Sequence, residues 1–311
     1  MAAHEPVMLD QVIDSLAVRA DGCYVDATFG RGGHSGALLS RLGDQGRLIA
    51  FDRDADAVES ATRRYQQDSR FTIVHRAFSA MVEVLSELGL LGQVDGLMFD
   101  LGVSSPQLDE SDRGFSFLRD GPLDMRMNRA HGETAAEYLA RVSESELRTV
   151  ISRYGEERLA NKIARAIVAA RAEAPLERTV QLASVIESAV PARVRERSRI
   201  HPATRTFQAI RIEINEELRE LDAALATVLE VLKVGGRVAF LTFHSLEDRP
   251  VKRFLRDVAA EDPVYRGLPD MPESAKPRLR IVGKPLVAND EELERNPRAR
   301  SARLRVGERL R

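Results

Sequence analysis

The first hundred residues alternate strand-like and helix-like segments at a spacing that leaves few folds open. Residues 24–29, 47–51, 71–75 and 94–99 read as short, mostly apolar strands, and 35–42, 55–67 and 80–89 as the helices between them. Strands that alternate with helices pair in parallel, and the helices cover both faces of the sheet. Aspartates mark three of these strands: Asp26 lies in the first, Asp52 closes the second and Asp100 closes the fourth.

After residue 108 the rhythm breaks. Residues 109–130 are rich in Gly, Asp, Arg and Phe without a clear period, and 134–190 read as helical. Thr134 with Glu137, and Ser143 with Glu146, have the spacing of capping boxes at two helix starts. Leu159, Ile163, Ala166, Ile167 and Ala170 recur at helical spacing, and Pro175 and Pro191 punctuate the region. One long helix is expected from Ala203 to Leu232, stopping at Gly235-Gly236. A buried strand follows at 237–243, then a helix over 249–260, and 279–287 and 301–306 are expected to pair antiparallel at the sheet edge. The simplest architecture is one α/β domain, residues 1–110 and 212–311, interrupted by an all-helical insertion over 111–211.

Composition excludes several classes. Of 311 residues, 43% are hydrophobic and 30% charged, the balance of a globular chain. No apolar run approaches a membrane span, and the opening residues, with His4, Glu5 and Asp10, lack the apolar stretch of a secretory signal. A cytoplasmic location is the expectation. The one cysteine, Cys23, rules out an intrachain disulfide and a Cys-based zinc site, and the scattered histidines give no reason to expect a metal. Net charge is −2, so any nucleic-acid surface must come from uneven placement. Such unevenness exists: between Pro191 and Arg211 stand Arg193, Arg195, Arg197, Arg199, Arg205 and Arg211 against one acid, Glu196. The tail from Arg295 onward is also arginine-rich.

The run DATFGRGGHS, residues 26–35, lies after a strand and before a helix, where glycine loops meet cofactors. Gly30, Gly32 and Gly33 let backbone approach a ligand with no Cβ in the way. Asp52, at the end of the next strand, can accept hydrogen bonds from both ribose hydroxyls of an adenosine. A dinucleotide fingerprint starting at Gly30 would need glycine at 35, where this chain has Ser35. An acid on the first strand, a glycine loop and an acid on the second suit S-adenosylmethionine. The competing reading is a tight strand–helix turn that uses glycine for packing alone.

A second run, DLGVSSPQ (100–107), follows the fourth strand. Ligands of open parallel sheets bind at the carboxyl ends of the strands, near the point where strand order reverses. Asp100 belongs there, with Ser104, Ser105 and Gln107 on the loop beyond, unless Asp100 merely caps that loop. Methyl transfer asks little of a protein: alignment of the acceptor nitrogen and an acceptor for its proton. Asp100 or backbone carbonyls could take that proton. No nucleophilic cysteine is needed, and Cys23 is poorly placed to be one, which argues against methylation of a pyrimidine ring carbon.

These runs, together with RGFSFLRDGPLDMRM (113–127), YGEERLANKIARAIV (154–168), HPATRTFQAIR (201–211), FHSLEDR (243–249) and NPRARSARLR (296–305), resemble the RsmH (MraW) family over essentially the whole chain. The resemblance implies a Rossmann-like class I S-adenosylmethionine-dependent methyltransferase sheet whose helical insertion recognises the substrate. It also implies methylation of N4 of a cytidine in the decoding centre of 16S ribosomal RNA within the small ribosomal subunit, with no membrane partner and a homodimer left open. The cofactor contacts it implies fall on Gly32, Gly33, His34, Asp52, Phe78, Asp100 and Gln107. On chemistry alone, Phe78 is equally a core residue and His34 equally a helix cap. Many amino-methyltransferases carry Asp/Asn-Pro-Pro-aromatic after the fourth strand, whereas this chain reads Asp100-Leu101-Gly102-Val103. Asp100 is therefore assigned to the cofactor first and to catalysis second.

The arginines from 193 to 211, with His201, are the candidate RNA surface; a solvated helix face is the alternative. His244 and Ser245, after the fifth strand, are expected to shape the cytidine pocket beside Ser104 and Ser105, although Ser245 and Asp248 also have the spacing of a helix cap. Phe115-Ser116-Phe117 reads either as a lid or as core of the insertion. Two other functions compete: a nicotinamide-dependent oxidoreductase, disfavoured by the glycine spacing, and a non-catalytic RNA-binding factor, disfavoured by the intact acids at 26, 52 and 100.

Overall fold

The structure, a computed structural model, describes residues 6–198, 200–265 and 271–311. The chain divides into two compact units, Met1–Gly102 with Leu218–Arg311, and Val103–Glu217. The discontinuous first unit and the inserted second one meet in sequence at 102/103 and 217/218, against the 110/111 and 211/212 expected.

The first unit opens with α1 (Leu9–Ser15) and then alternates β1 (Cys23–Asp26), α2 (Gly33–Arg41), β2 (Arg47–Asp52), α3 (Ala55–Tyr65), β3 (Phe71–His75), α4 (Met81–Glu87) and β4 (Val94–Asp100). The inserted unit carries α5 (Ser105–Asp109), α6 (Ala135–Arg141), α7 (Glu144–Gly155), α8 (Ala160–Glu173), α9 (Thr179–Ala189), α10 (Ala192–Arg197) and α11 (Thr204–Ile214). The chain then returns through α12 (Glu217–Val231), β5 (Leu232–Thr242), α13 (Ser245–Val258), β6 (Leu279–Ile281), α14 (Asp290–Arg295) and β7 (Arg303–Arg309).

The strands form one sheet in the order β3-β2-β1-β4-β5-β7-β6. β1 to β5 are mutually parallel, and β7 enters antiparallel between β5 and β6. Side chains alternate across the sheet, as the two-residue period of a strand requires. Leu97, Phe99, Val238 and Phe240 join a core with Met81, Leu85, Leu221, Leu225, Val228 and Val251, from α4, α12 and α13. Met98, Ala239 and Leu241 face the opposite way, into a core with Ile13, Leu38, Leu39 and Leu304. A parallel sheet buried on both faces is the arrangement its near-continuous apolar strands demand.

The inserted unit has its own core, drawn from Leu139, Leu147, Ile151, Ile163, Ile167, Leu182, Ile186, Phe207 and Ile210. The capping boxes at Thr134/Glu137 and Ser143/Glu146 form as their spacing predicts. Phe115 is buried, and Phe117 packs 4.8 Å from Phe207 and 4.6 Å from His201, centroid to centroid. Phe117 thus packs against the core of the insertion, as one of the two readings of this segment expects.

The helix expected over 203–232 is two helices. Glu216 adopts a left-handed backbone, φ 51°, between them. Asn215 explains the break: its side-chain nitrogen donates to Met125 O at 2.7 Å, and its oxygen accepts from Met127 N at 2.7 Å. A helix continuing through 215 would surrender that clamp on the 113–127 segment, where the Arg113 guanidinium, nearly fully buried, also donates to the carbonyls of Arg126 and Met127.

α13 begins at Ser245, earlier than expected, and carries Pro250 inside it. Asp248, in its first turn, is gripped bidentately by Arg305 of β7, with Nε to Oδ1 at 2.7 Å and a terminal nitrogen to Oδ2 at 2.9 Å. The Arg305 guanidinium holds the Asp248 carboxyl below its usual range, and the two side chains are 12% and 16% exposed. Removing one partner of such a pair strands the other charge. Asp248→Ala should cost about 3 kcal/mol in urea unfolding, and Arg305→Met in the same chain should recover part of that loss. The wild-type contribution should be present above the ordinary carboxylate pKa and fade as pH falls through the depressed folded value.

Candidate active site

The sheet runs outward from β1 to β3 and then crosses to β4, so strand order reverses between β1 and β4. That reversal is where open α/β sheets hold ligands. β1 is also short. Its last residue, Asp26, pairs in register with Ala50 and Met98, so β2 and β4 each extend two residues further, to Asp52 and Asp100. Residues 27–29 run on between the two longer strands, Ala27 N donating to Met98 O and Phe29 N to Phe51 O, and the step in strand ends, the notch, has one carboxylate at its floor and one on each side.

The floor is locked. Asp26 is 1% exposed, and its two oxygens accept from Thr28 N at 3.0 Å and Ser35 Oγ at 2.6 Å. Burial pushes its carboxyl up from the ordinary range, against the pull of those hydrogen bonds. Asp26 therefore holds the glycine turn to the first turn of α2. Within that turn Gly32 has φ +67°, and a Cβ there would fall 2.4 Å from the Phe29 ring. Only glycine makes the turn without displacing that ring.

Asp52 stands on one flank, half-buried. Oδ2 accepts from Gly30 N at 2.7 Å and Oδ1 from Asp54 N at 2.8 Å. A carboxylate oxygen has two acceptor positions, so each keeps one beyond the backbone bond. Burial raises this carboxyl to about 7, although the two backbone N–H groups pull it down.

Asp100 stands on the other flank, its side chain 30% exposed. Its N–H donates to Thr28 Oγ1 at 2.7 Å, and its Oδ2 lies 3.5 Å from Nδ1 of buried His34. His34 Nε2 lies 3.1 Å from Val7 O. Burial opposes a charge on His34, but the Asp100 carboxylate beside it, helped by Asp26 and the Val7 carbonyl, more than offsets this and leaves its pKa raised. Sequence reasoning missed Thr28, Ser35 and Val7 as parts of this site. The only signal for Thr28 and Ser35 is their place inside DATFGRGGHS.

Phe78 opens a single 3₁₀ turn after β3, half-buried, with its ring edge-on to Phe99 at 5.5 Å. Gly33 begins α2 and packs against Pro6 so closely that a Cβ would fall 2.1 Å from the proline ring. Cys23 lies at the opposite end of β1 from Asp26, its thiol pushed up to about 11 by burial. It is no nucleophile for this edge.

His244 and Ser245 do follow β5, but His244 is the N-cap of α13. Its Nε2 lies 3.2 Å from Glu247 Oε1, and Glu247 Oε2 accepts from the N–H groups of Phe243 and His244. The cap thus sits one residue earlier than Ser245/Asp248 spacing suggested, and the imidazole is tied to its own helix. Ser245 is exposed on the first turn.

In the inserted unit, Ser104 and Gln107 form a capping box at the start of α5, with Ser104 N donating to Gln107 Oε1 at 3.0 Å; Ser105 and Gln107 are buried. Arg193, Arg197, His201 and Arg205 are exposed, and Arg205 donates to Glu156 O. Arg195 pairs with Glu187 at 2.8 Å. Arg199 lies outside the described residues. Arg211 is a correction: its guanidinium grips both oxygens of Glu217 at 2.7 and 2.9 Å and is 13% exposed, so it braces the end of α11 rather than facing RNA. Among the described residues, no cluster of His, Cys, Asp or Glu could hold a metal ion, and no helix is long and apolar enough to cross a membrane.

The sequence pattern of the MraW methylase family matches residues 1–310. A ribosomal RNA small subunit methyltransferase H of Thioalkalivibrio sulfidiphilus is 54% identical over 309 residues, covering 99% of this chain and 98% of its own. Its namesake from Nitrosospira multiformis is 53% identical over 311 residues, covering 99% and 97%. An rRNA methylase structure from Streptococcus thermophilus aligns over 100% of this chain and 99% of its own, at 13% identity and a TM-score of 0.44. The sheet order, with its antiparallel β7, is that of the class I S-adenosylmethionine-dependent methyltransferases. From end to end, then, the chain belongs to the MraW methylase family, and it is a methyltransferase whose donor is S-adenosylmethionine.

Proposed function

We propose that this methyltransferase modifies N4 of a cytidine in the decoding centre of 16S ribosomal RNA, within the small ribosomal subunit. The observation that carries the reading is the notch at the sheet's carboxyl edge, with Asp52 and Asp100 on its flanks. The acceptor is supported by the relatives, which share more than half their residues with this chain and are ribosomal RNA small subunit methyltransferases. A nicotinamide oxidoreductase or a non-catalytic factor is not favoured by membership of a methylase family.

The residues fit the donor. Asp52 keeps two acceptor positions for a pair of ribose hydroxyls, the turn at Gly32 and Gly33 brings backbone to the notch, and Phe78 offers an aromatic wall beside β3. Asp100, steadied by His34, completes the set, and the family resemblance adds Gln107 from the inserted unit. When bound, S-adenosylmethionine supplies an electrophilic methyl group on a sulfonium. The protein's task is to hold the cytosine amino group in line with it and to accept its proton as the nitrogen gains positive charge. Asp100 is the carboxylate at this edge suited to that acceptance. Ser104, Ser105 and Ser245 offer hydroxyls for positioning the base, and His244 contributes by fixing the start of α13. The inserted unit serves as the substrate-recognition domain, with Arg193, Arg195, Arg197, Arg199, His201 and Arg205 on RNA phosphates and bases. The target base must leave its stack to reach the notch.

The direct test is transfer of tritiated methyl to small subunits that lack the modification, with the labelled nucleotide located by mass spectrometry. Label on the exocyclic nitrogen of one 16S cytidine is expected; label on a ring carbon, or none, contradicts the reading.

Donor binding should also depend on pH. Hydroxyls donate best to an ionised carboxylate, and Asp52 ionises near pH 7 in the free protein. Affinity for S-adenosylhomocysteine, measured by calorimetry, should therefore rise with pH through that value and fall below it, by up to about tenfold per unit. Asp52→Asn should bind at least about tenfold more weakly, having lost charge-assisted bonds of about 1.5–3 kcal/mol each, and should lose the step near pH 7. An unchanged profile in that variant removes Asp52 from the site.

A further inference from the structure

The helix after β5 is two-sided. α13 buries Val251 and Leu255, with Phe254 and Val258 half-buried beside them. On the opposite side, Arg249, Lys252, Arg253 and Arg256 stand at i, i+3, i+4 and i+7, all exposed. That spacing lines one face of a helix, and seven residues at about 1.5 Å each make a stripe about 10 Å long.

The helix also carries acids, but its first two are turned away from this face. Glu247 is buried against His244, and Asp248 is held inward by Arg305. Asp257 pairs with Arg256 at 2.8 Å. Exposed Arg303 adds to the positive charge. Arg303 is the register partner of Thr242 at the end of β5, and its charge helps hold down the Asp248 carboxyl. β5 in turn pairs with β4, Leu241 beside Asp100. The stripe therefore starts one helical turn from the sheet edge that carries Asp100.

We propose that Arg249, Lys252 and Arg303 form a second RNA-backbone contact, on the methyltransferase unit itself, that tracks phosphates flanking the target nucleotide. The inference rests on RNA being the acceptor and adds where this unit grips it. Charge complementarity commits the surface to a polyanion. Its place beside the methyl-transfer edge commits it to the strand being methylated, since a nucleotide entering the notch brings its neighbouring phosphates to that edge. A merely solubilising helix face has no need to begin at the active edge or to turn its acids inward.

The test compares the full-length wild type with Arg249→Gln/Lys252→Gln. Binding of a single-stranded 16S fragment is titrated across salt concentrations, alongside steady-state methylation of unmodified small subunits and S-adenosylhomocysteine binding. On single-stranded nucleic acid, each phosphate that the protein no longer neutralises lowers the salt slope by about 0.7, so the double variant should drop by about 1.4. KM for the subunit should rise while kcat and S-adenosylhomocysteine affinity hold. Arg249→Lys/Lys252→Arg, which keeps the charges, should restore the slope. A glutamine variant with wild-type slope and KM overturns the proposal, as does an equal drop in the remote control Arg63→Gln. A wild-type protein that methylates a different class of acceptor and ignores RNA overturns both this inference and the reading beneath it.

Discussion

The site depends on a difference in strand length. β1 stops at Asp26 while its neighbours continue to Asp52 and Asp100; the chain runs on between them, Ala27 N donating to Met98 O and Phe29 N to Phe51 O, before it makes the glycine turn. A recess at a sheet edge exposes backbone N–H groups that must find partners. Here carboxylates take them: Asp26 binds Thr28 N, and Asp52 binds Gly30 N and Asp54 N. Of these acids, Asp52 is also one that the proposed function sets against the donor. Asp26 is consumed by holding the turn, whereas Asp52 and Asp100 keep part of their surface toward solvent.

Electrostatics follows from that division. Three carboxylates on adjacent strand ends repel one another, and burial raises Asp26 and Asp52. His34 is the compensating group. Set between Val7 O and Asp100, it has a raised pKa and so favours the cation that three acids need. A methyl donor with a positive sulfur fits such a surplus of negative charge, since it lends a further cation where the protein has more acids than bases.

Much of this is legible in the sequence because it rests on local rules. The short apolar runs of β4 and β5, glycines after the first strand, and the capping boxes at Thr134 and Ser143 are each set within a few residues, and each appears in the structure. What is illegible is settled by pairings between distant positions. The apolar period runs unbroken through 203–232, and nothing nearby announces that Asn215 will leave the helix to bind Met125 and Met127. Arg211 reads as one of an arginine run until Glu217 closes on it. Asp248 carries the spacing of a cap, yet its partner is Arg305, far along the chain on β7. The roles expected of His34 and Phe78 come from family resemblance; chemistry alone allows a cap and a core residue, and while Phe78 does pack on Phe99, His34 caps nothing, since Gly32 is the N-cap of α2 and the imidazole lies between Val7 O and Asp100.

The central claim is that the notch over β1 receives the adenosine half of the donor. A crystal structure of the protein with S-adenosylhomocysteine measures this most directly. The account predicts ribose hydroxyls within hydrogen-bond distance of both Asp52 oxygens, with the sulfur between the β1 and β4 ends. Density for the ligand elsewhere, with Asp52 facing only solvent, would contradict it.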